Sequence, residues 1–507
     1  MGSALSKDIR KARRKTTLDL SKRDIKILPK DIKACKKLTT LNLSSNLLID
    51  LPPELGRLTK LQILDFSQNN VNYFPPSLPK SLVEIHAGNN RLFYSPMTPL
   101  IGELSNLLTL DLSGNQLEDI IPEVGNLHNL KVLQLHHNDL KGLPRCIFVL
   151  PSLEQLDVGF NKIKTVSDDI GGLKTLQRFD ISSNLLVKLP ESIGKVTTLR
   201  WLALGNNALR TLPDSCGNLI NLEELDIQEN HQLDDLPSSL SRCTKMLKFN
   251  MRNTKLEKIP LGVRNWTLLT ELIMKDNGQM EDLPEILGNL RALKVLNCDS
   301  CSISQVPDQI GGLQNLQHLD LRHNQLNSFA IPTTIRTLKL LVKLFLNNNM
   351  IEILPDEICE IRTLTELDIS HNLIISLPED IGNLDQLDRL FASNNKLETV
   401  PASIGKLKKL TVLELRSNTM NFLPSEISEL TSLNRMDLSH NRISDLPPSM
   451  HTMTNLQKLD LRDNPFDSPP QHVIVRGTEA VLVYLKEQSE KAAKGEGQEM
   501  GRMRAVH

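Results

Sequence analysis

Between residues 18 and 464 the apolar positions recur in one phrase, L-x-x-L-x-L-x-x-N. Leu130, Leu133, Leu135 and Asn138 form one copy, and Leu140 follows two places later. A Leu-Pro step such as Leu143-Pro144, Leu189-Pro190, Leu377-Pro378 or Leu423-Pro424 then leads into a short polar turn. The middle of the phrase alternates, which predicts a short strand with Leu133 and Leu135 inward and Gln134 and His136 outward. From Arg23, which fills the asparagine slot of the first copy, to Asn464 there are twenty rungs, most of them 23 residues apart.

Self-similarity of this length and pattern predicts an α/β fold, a leucine-rich repeat solenoid or horseshoe. Each of about twenty repeats gives one strand to a parallel concave sheet, on the order of 90 Å along its arc at about 4.8 Å per strand. The asparagines read as structural, because an amide offers donors and an acceptor to turn backbone that would otherwise be buried unpaired. Some rungs depart from the period: Asn69 to Asn90 spans 21 residues, Asn90 to Asn115 and Asn324 to Asn349 span 25, and Asn230 to Thr254 and Asn277 to Cys301 span 24. The extra residues are expected in protruding loops at Phe93-Tyr94-Ser95-Pro96 and Phe329-Ala330-Ile331-Pro332.

The solenoid is assigned to residues 16–468. A C-terminal cap follows at 469–489, with Thr478 as N-cap of a capping helix. The Lys-, Glu- and Gly-rich segment 490–507 is expected to be disordered. Residues 1–15 are a basic N-terminal tail in which Gly2 and Ser6 fit the myristoylation pattern. Lys7, Arg10, Lys11, Arg13, Arg14 and Lys15 stand there against the single acid Asp8. One acyl chain binds membranes marginally, whereas added basic residues contribute about 1 kcal/mol each on an anionic leaflet. Leu5, Ile9 and Ala12 fall at helical spacing, so the segment is expected to lie in the membrane interface.

Composition adds limits. The formal net charge of -1 gives no support to nucleic-acid binding, and aromatics at 3% suit a core of repeated Leu and Ile layers. Seven cysteines are dispersed through the repeats, which favours reduced thiols and a cytoplasmic site, to which the acylation pattern and basic tail add peripheral membrane association. No apolar run has signal-peptide or membrane-spanning length. No nucleotide-binding, zinc-protease or serine-hydrolase motif occurs, so neither an enzyme nor a cofactor is expected. Cys298 and Cys301 occupy inward slots and read as core, while His136-His137 and His318 with His323 lack the companions that would complete a metal site.

Function is therefore sought on the outward strand positions, where the many aspartates read as a solvated acidic stripe. Phe160, Trp201, Phe345 and Phe391 interrupt it, and around Trp201 stand Arg178, Asp180, Asp226 and Arg252. Aromatic and arginine residues concentrate at protein interfaces, so these eight are the candidate partner-binding residues on the concave face of a chain expected to be monomeric.

The 23-residue phrase resembles that of the intracellular Ras-group leucine-rich repeat proteins, which include the suppressor-of-Ras scaffolds. The Met-Gly start, the insert from Leu92 to Pro99 and the ending from Pro469 to Leu485 resemble those of a leucine-rich repeat protein of social amoebae. The resemblance implies a non-enzymatic scaffold or adaptor in signalling to the actin cytoskeleton, in chemotaxis and cell sorting, with a Ras-family GTPase or its regulator as partner. The phosphatase-docking motif in the tail of the suppressor-of-Ras scaffolds has no counterpart before Leu18.

Overall fold

A computed structural model describes residues 2–93 and 99–504. Two compact units divide the chain, residues 1–255 with 260–266 and residues 256–259 with 267–507. The first holds eleven strands, from Thr17–Asp19 to Lys248–Asn250, and the second nine, from Glu271–Ile273 to Lys458–Asp460. Within each unit successive strands pair in parallel one rung apart, as Gln155, Leu156 and Asp157 pair with Arg178, Phe179 and Asp180. Each unit is thus an open solenoid, as the period predicts.

The Leu-Pro step has a clear local role. Proline at the edge of a short 3₁₀ turn has no N–H to leave unpaired, and its fixed φ sets the entry to the turn. Pro190, at φ -75°, leads into the 3₁₀ turn Glu191–Lys195 in this way. Between strand and turn the phrase leucines are buried, Leu130, Leu133, Leu135 and Leu140 completely.

The asparagines do what the amide inventory predicts. Asn138 Nδ2 donates to the carbonyls of Leu135 in its own rung and Leu112 in the rung before, each at 3.0 Å. Its Oδ1 accepts the Leu117 N–H at 3.0 Å. Before each such asparagine stands a residue in the left-handed region, including His137 at φ 54° and Phe160 at φ 53°. A bulky side chain pays a steric cost there, which the asparagine bonds that close the turn must offset.

The two 24-residue rungs have a physical explanation. Thr254 and Cys301 end them and have no amide oxygen to accept the N–H of the preceding rung. The extra residue tightens that preceding turn, so Leu233 N–H bonds to Asn230 O and Met280 N–H to Asn277 O, each at 3.0 Å. The additional residue thus replaces the missing acceptor. Of the expected protruding loops, residues 94–98 lie outside the described residues. Phe329 is exposed, but Ala330 and Ile331 are buried, because Ala330 N–H bonds to Asn327 O and its carbonyl accepts Val306 N–H. That insert folds back into the core after one residue.

The ends differ from expectation. Residues Gly2–Ala12 form helix α1, and its Ile9 and Ala12 are buried. Ile9 O accepts the Cys35 thiol at 3.3 Å, and Asp8 pairs with Arg23 at 2.6 Å. The apolar stripe expected to meet lipid instead closes the open first rung, the nearest apolar surface. Lys7, Arg10, Lys11, Arg13, Arg14 and Lys15 all remain exposed.

At the other end helices α2 (Gln471–Ile474) and α3 (Thr478–Arg504) follow the last strand. Val481 and Leu485 are buried. Thr478 does not cap its own helix: its hydroxyl accepts the Leu459 N–H of the edge strand at 2.9 Å. Beyond residue 490 the chain continues as helix to Arg504 where disorder was expected; Lys, Ala, Glu, Gln and Met there have good helix propensity despite the glycines. No helix among the described residues is long and apolar enough to cross a membrane.

Candidate protein-binding face

The alternation that buries the leucines puts three side chains of each rung on the strand face: the first and third strand residues and the residue two places on. The aspartates of this face are not simply a solvated stripe. Oδ1 of Asp180 accepts Ser182 N–H at 2.8 Å and its hydroxyl at 2.6 Å. The same bonds form at Asp65 with Ser67, Asp111 with Ser113, Asp368 with Ser370 and Asp437 with Ser439. These carboxylates fasten the strand exit, a task the sequence pattern alone did not reveal. Burial pushes the Asp180 and Asp226 carboxyls up from the usual carboxylate range.

In the first unit, Arg178, Trp201 and Glu224 pair in register along one row. The Arg178 guanidinium lies 4.5 Å from the centre of the half-buried Trp201 ring. In the parallel row Asp180 and Asp226 flank the small Ala203. Asp226 accepts Gln228 N–H at 3.0 Å. Phe160 is exposed and stacks on His137, ring centres 4.2 Å apart and 14° from parallel. His136 Nδ1 lies 3.1 Å from Asp157, and the nearness of this carboxylate raises the imidazole pKa against the opposing effect of burial. Phe160, Arg178, Asp180, Trp201 and Asp226 therefore come from consecutive or neighbouring rungs. Arg252 lies two places beyond Asn250, the register partner of Asp226 on the next strand, and 3.6 Å from Glu229.

Phe345 and Phe391 belong to the second unit, on either side of Asp368. Arg322, which sequence reasoning did not single out, lies 4.7 Å from the Phe345 ring centre. Arg322 and Phe345 are 23 residues apart, but the 25-residue rung between Asn324 and Asn349 puts Asp320 rather than Arg322 in register with Phe345, so Arg322 reaches the ring from two places beyond the strand. A second missed feature is Asp299, nearly fully buried, whose oxygens meet Lys275 at 2.7 Å and His323 at 2.8 Å. Burial opposes ionisation there, but the bonds from Lys275, Ser300 and His323 prevail and hold its pKa below the ordinary value.

Cys298 and Cys301 are both buried in the inward slots the register assigned, with the Cys301 thiol 3.4 Å from Met274 O. Among the described residues no group of three or more His, Cys, Asp or Glu could hold a metal ion. The face therefore offers aromatic surface, paired charge and half-buried carboxylates, which are means of recognition.

Models of a leucine-rich repeat region match residues 188–300 and 281–372, and models of the leucine-rich repeat match 105–163, 128–186, 362–420, 408–466 and, singly, 37–58. No curated protein matches the chain. Among solved structures it is similar to a leucine-rich repeat protein of Leptospira interrogans, 27% identical with a TM-score of 0.61, over 90% of this chain and 98% of that one. It is 30% identical to the plant peptide hormone receptor RGFR1, solved in complex with RGF2, with a TM-score of 0.69 over 89% of this chain and 74% of that one. It is 28% identical to the ectodomain of the Arabidopsis receptor kinase HAESA, solved with an extended IDA peptide hormone, with a TM-score of 0.56 over 88% and 82%. The chain belongs to the leucine-rich repeat family.

Proposed function

We propose that this chain is a non-enzymatic scaffold that seats a protein partner on its strand face. The observation that carries the reading is the Arg178 guanidinium lying over the Trp201 ring on neighbouring strands, with the exposed Phe160 in the turn of the rung before. That two similar proteins were solved with peptide ligands supports it. Co-purification from cells with the tagged full chain, beside a Phe160→Ala, Trp201→Ala variant, tests the reading. Loss of a partner by at least tenfold, about 1.4 kcal/mol, is expected. A variant that folds normally and keeps every partner sinks it.

The finer reading is a membrane-tethered adaptor in signalling to the actin cytoskeleton, chemotaxis and cell sorting, with a Ras-family GTPase or its regulator as the partner. The Gly2 acylation pattern, the exposed basic residues of α1 and the resemblance to the Ras-group repeats support it. Enrichment of a Ras-type GTPase among the co-purified proteins tests the partner. Equal membrane fractions for the native chain and Gly2→Ala would remove the tether. A second reading, a soluble structural or cytoskeletal interaction protein without a lipid anchor, is favoured by the burial of Ile9 and Ala12, which gives α1 a capping task of its own.

A further inference from the structure

The second unit carries the same three-residue arrangement twice, once with a cation and once without. In the first copy Asp320 ends a strand, Arg322 follows two places on, and Phe345 stands beside Asp320 on the next strand. Arg322 grips both oxygens of Asp320 through Nε, at 2.8 and 3.0 Å, and Nη2, at 2.6 Å, and lies over the Phe345 ring. In the second copy the corresponding residues are Asp368, Ser370 and Phe391. Ser370 is too short to reach the ring, and both of its bonds go to Oδ1 of Asp368.

Among the described residues no cation lies in ion-pair contact with Asp368, and the charge of Arg322, itself held by Asp320, acts on it only from a distance. The nearby Lys343 and Arg389 are each engaged by the buried Glu366 at 3.2 Å. Burial raises the Asp368 carboxyl above the ordinary range, so a cation placed there would relieve an existing cost. The arrangement is also specific. The other Asp-x-Ser pairs, at Asp19, Asp65, Asp111, Asp180 and Asp437, are followed on the next strand by Asn42, His86, Gln134, Ala203 and Asp460, not by phenylalanine.

We propose that an arginine side chain of the protein partner completes the second copy, its guanidinium paired with Asp368 and lying over the Phe391 ring as Arg322 lies over Phe345. This rests on the reading of the strand face as a protein-binding surface and names one anchor of the partner. Arginine is chosen over lysine because a planar fork can meet a carboxylate and stack on a ring at once.

The test is a Ser370→Arg variant, which supplies the missing guanidinium from within. It is designed to fold, because arginine occupies the same rung position at Arg322 and Arg462, each paired with its own aspartate. Full-length wild type, Ser370→Arg and Phe391→Ala are compared on nonapeptides with random flanks and a central arginine, lysine or citrulline. The expected result is that wild type retains arginine peptides at least about tenfold over their citrulline counterparts and that both variants lose this preference. Equal retention of arginine and citrulline, or an undiminished arginine preference in Ser370→Arg, overturns the proposal. Protein partners that co-purify equally with wild type and Ser370→Arg also overturn it and leave the scaffold reading standing. A wild-type chain with no partner at all overturns both.

Discussion

Replacing Asn138 by alanine is predicted to loosen the fold locally, by an amount that follows from its bonds. Leu112 O and Leu135 O keep one donor each after the change, from Asn115 and Asn161 respectively. The fully buried Leu117 loses Asn138 Oδ1, the acceptor of its N–H. An orphaned buried amide costs about 1 to 3 kcal/mol, and the weakened carbonyls of Leu112, Leu135 and His136, the last at 3.3 Å, add about 1 kcal/mol together. The sum of about 2 to 4 kcal/mol corresponds to roughly 30- to 1,000-fold faster exchange of the affected amides, where exchange follows local opening. Because repeat arrays are stabilised by nearest-neighbour terms, the loss is confined to adjoining rungs. Hydrogen exchange by mass spectrometry on peptides around Leu117 measures it, with peptides near Leu438 as the internal reference. Acceleration of less than threefold at Leu117, or equal acceleration at Leu438, would refute the bond-by-bond accounting.

An Asn138→Thr variant is expected to recover part of its lost protection when one glycine is inserted between Gln116 and Leu117, reproducing the 24-residue rung that precedes Thr254; exchange at the Leu117 amide reads the rescue. Ile9→Ala, at a fully buried position of the N-terminal cap, is expected to cost about 2 to 5 kcal/mol and to expose the first rungs to limited proteolysis, whereas cleavage kinetics like those of wild type would argue that α1 does not cap. Burial pushes the thiols of Cys146 and Cys359 up to about 12 and those of Cys243 and Cys301 up to about 11, so at pH 8 the native chain is expected to show almost no fast-reacting thiol and, once denatured, all seven. The raised pKa of His136 stabilises the fold below pH 6.5, and this contribution disappears as pH rises through the folded value. His136→Gln is therefore expected to lower the melting temperature at pH 5.5 and leave it unchanged at pH 9.

The rung phrase was legible because its period is rigid: one asparagine fixes which side chains face inward, and that register placed Cys298 and Cys301 in the core and Trp201 on a strand, whereas Phe160 falls in the turn that follows its strand. It also placed Arg178 beside Trp201, since residues 23 apart share a row. What stayed hidden depends on what lies across a gap rather than along the chain. Ile9 and Ala12 read as a membrane stripe because the sequence does not show that the first rung lies open beside them. Thr478 read as a helix cap because its actual partner, the Leu459 amide, is an unpaired edge nineteen residues earlier. The aspartates read as solvated because a serine two places on is unremarkable until the turn brings its hydroxyl back.

The bonding of the two 24-residue rungs also bears on how such a chain can change in length. A 23-residue copy leaves an amide that only an asparagine in the following copy can receive, whereas a 24-residue copy settles that amide itself and places no demand on its successor. Copies are therefore not interchangeable beads. Duplication or unequal exchange that joins a 23-residue copy to one beginning like the Thr254 or Cys301 rung leaves a defect at the junction, while a 24-residue copy can precede either kind. Succession along this chain has a direction, and the permitted orders can be read from where the asparagines fail.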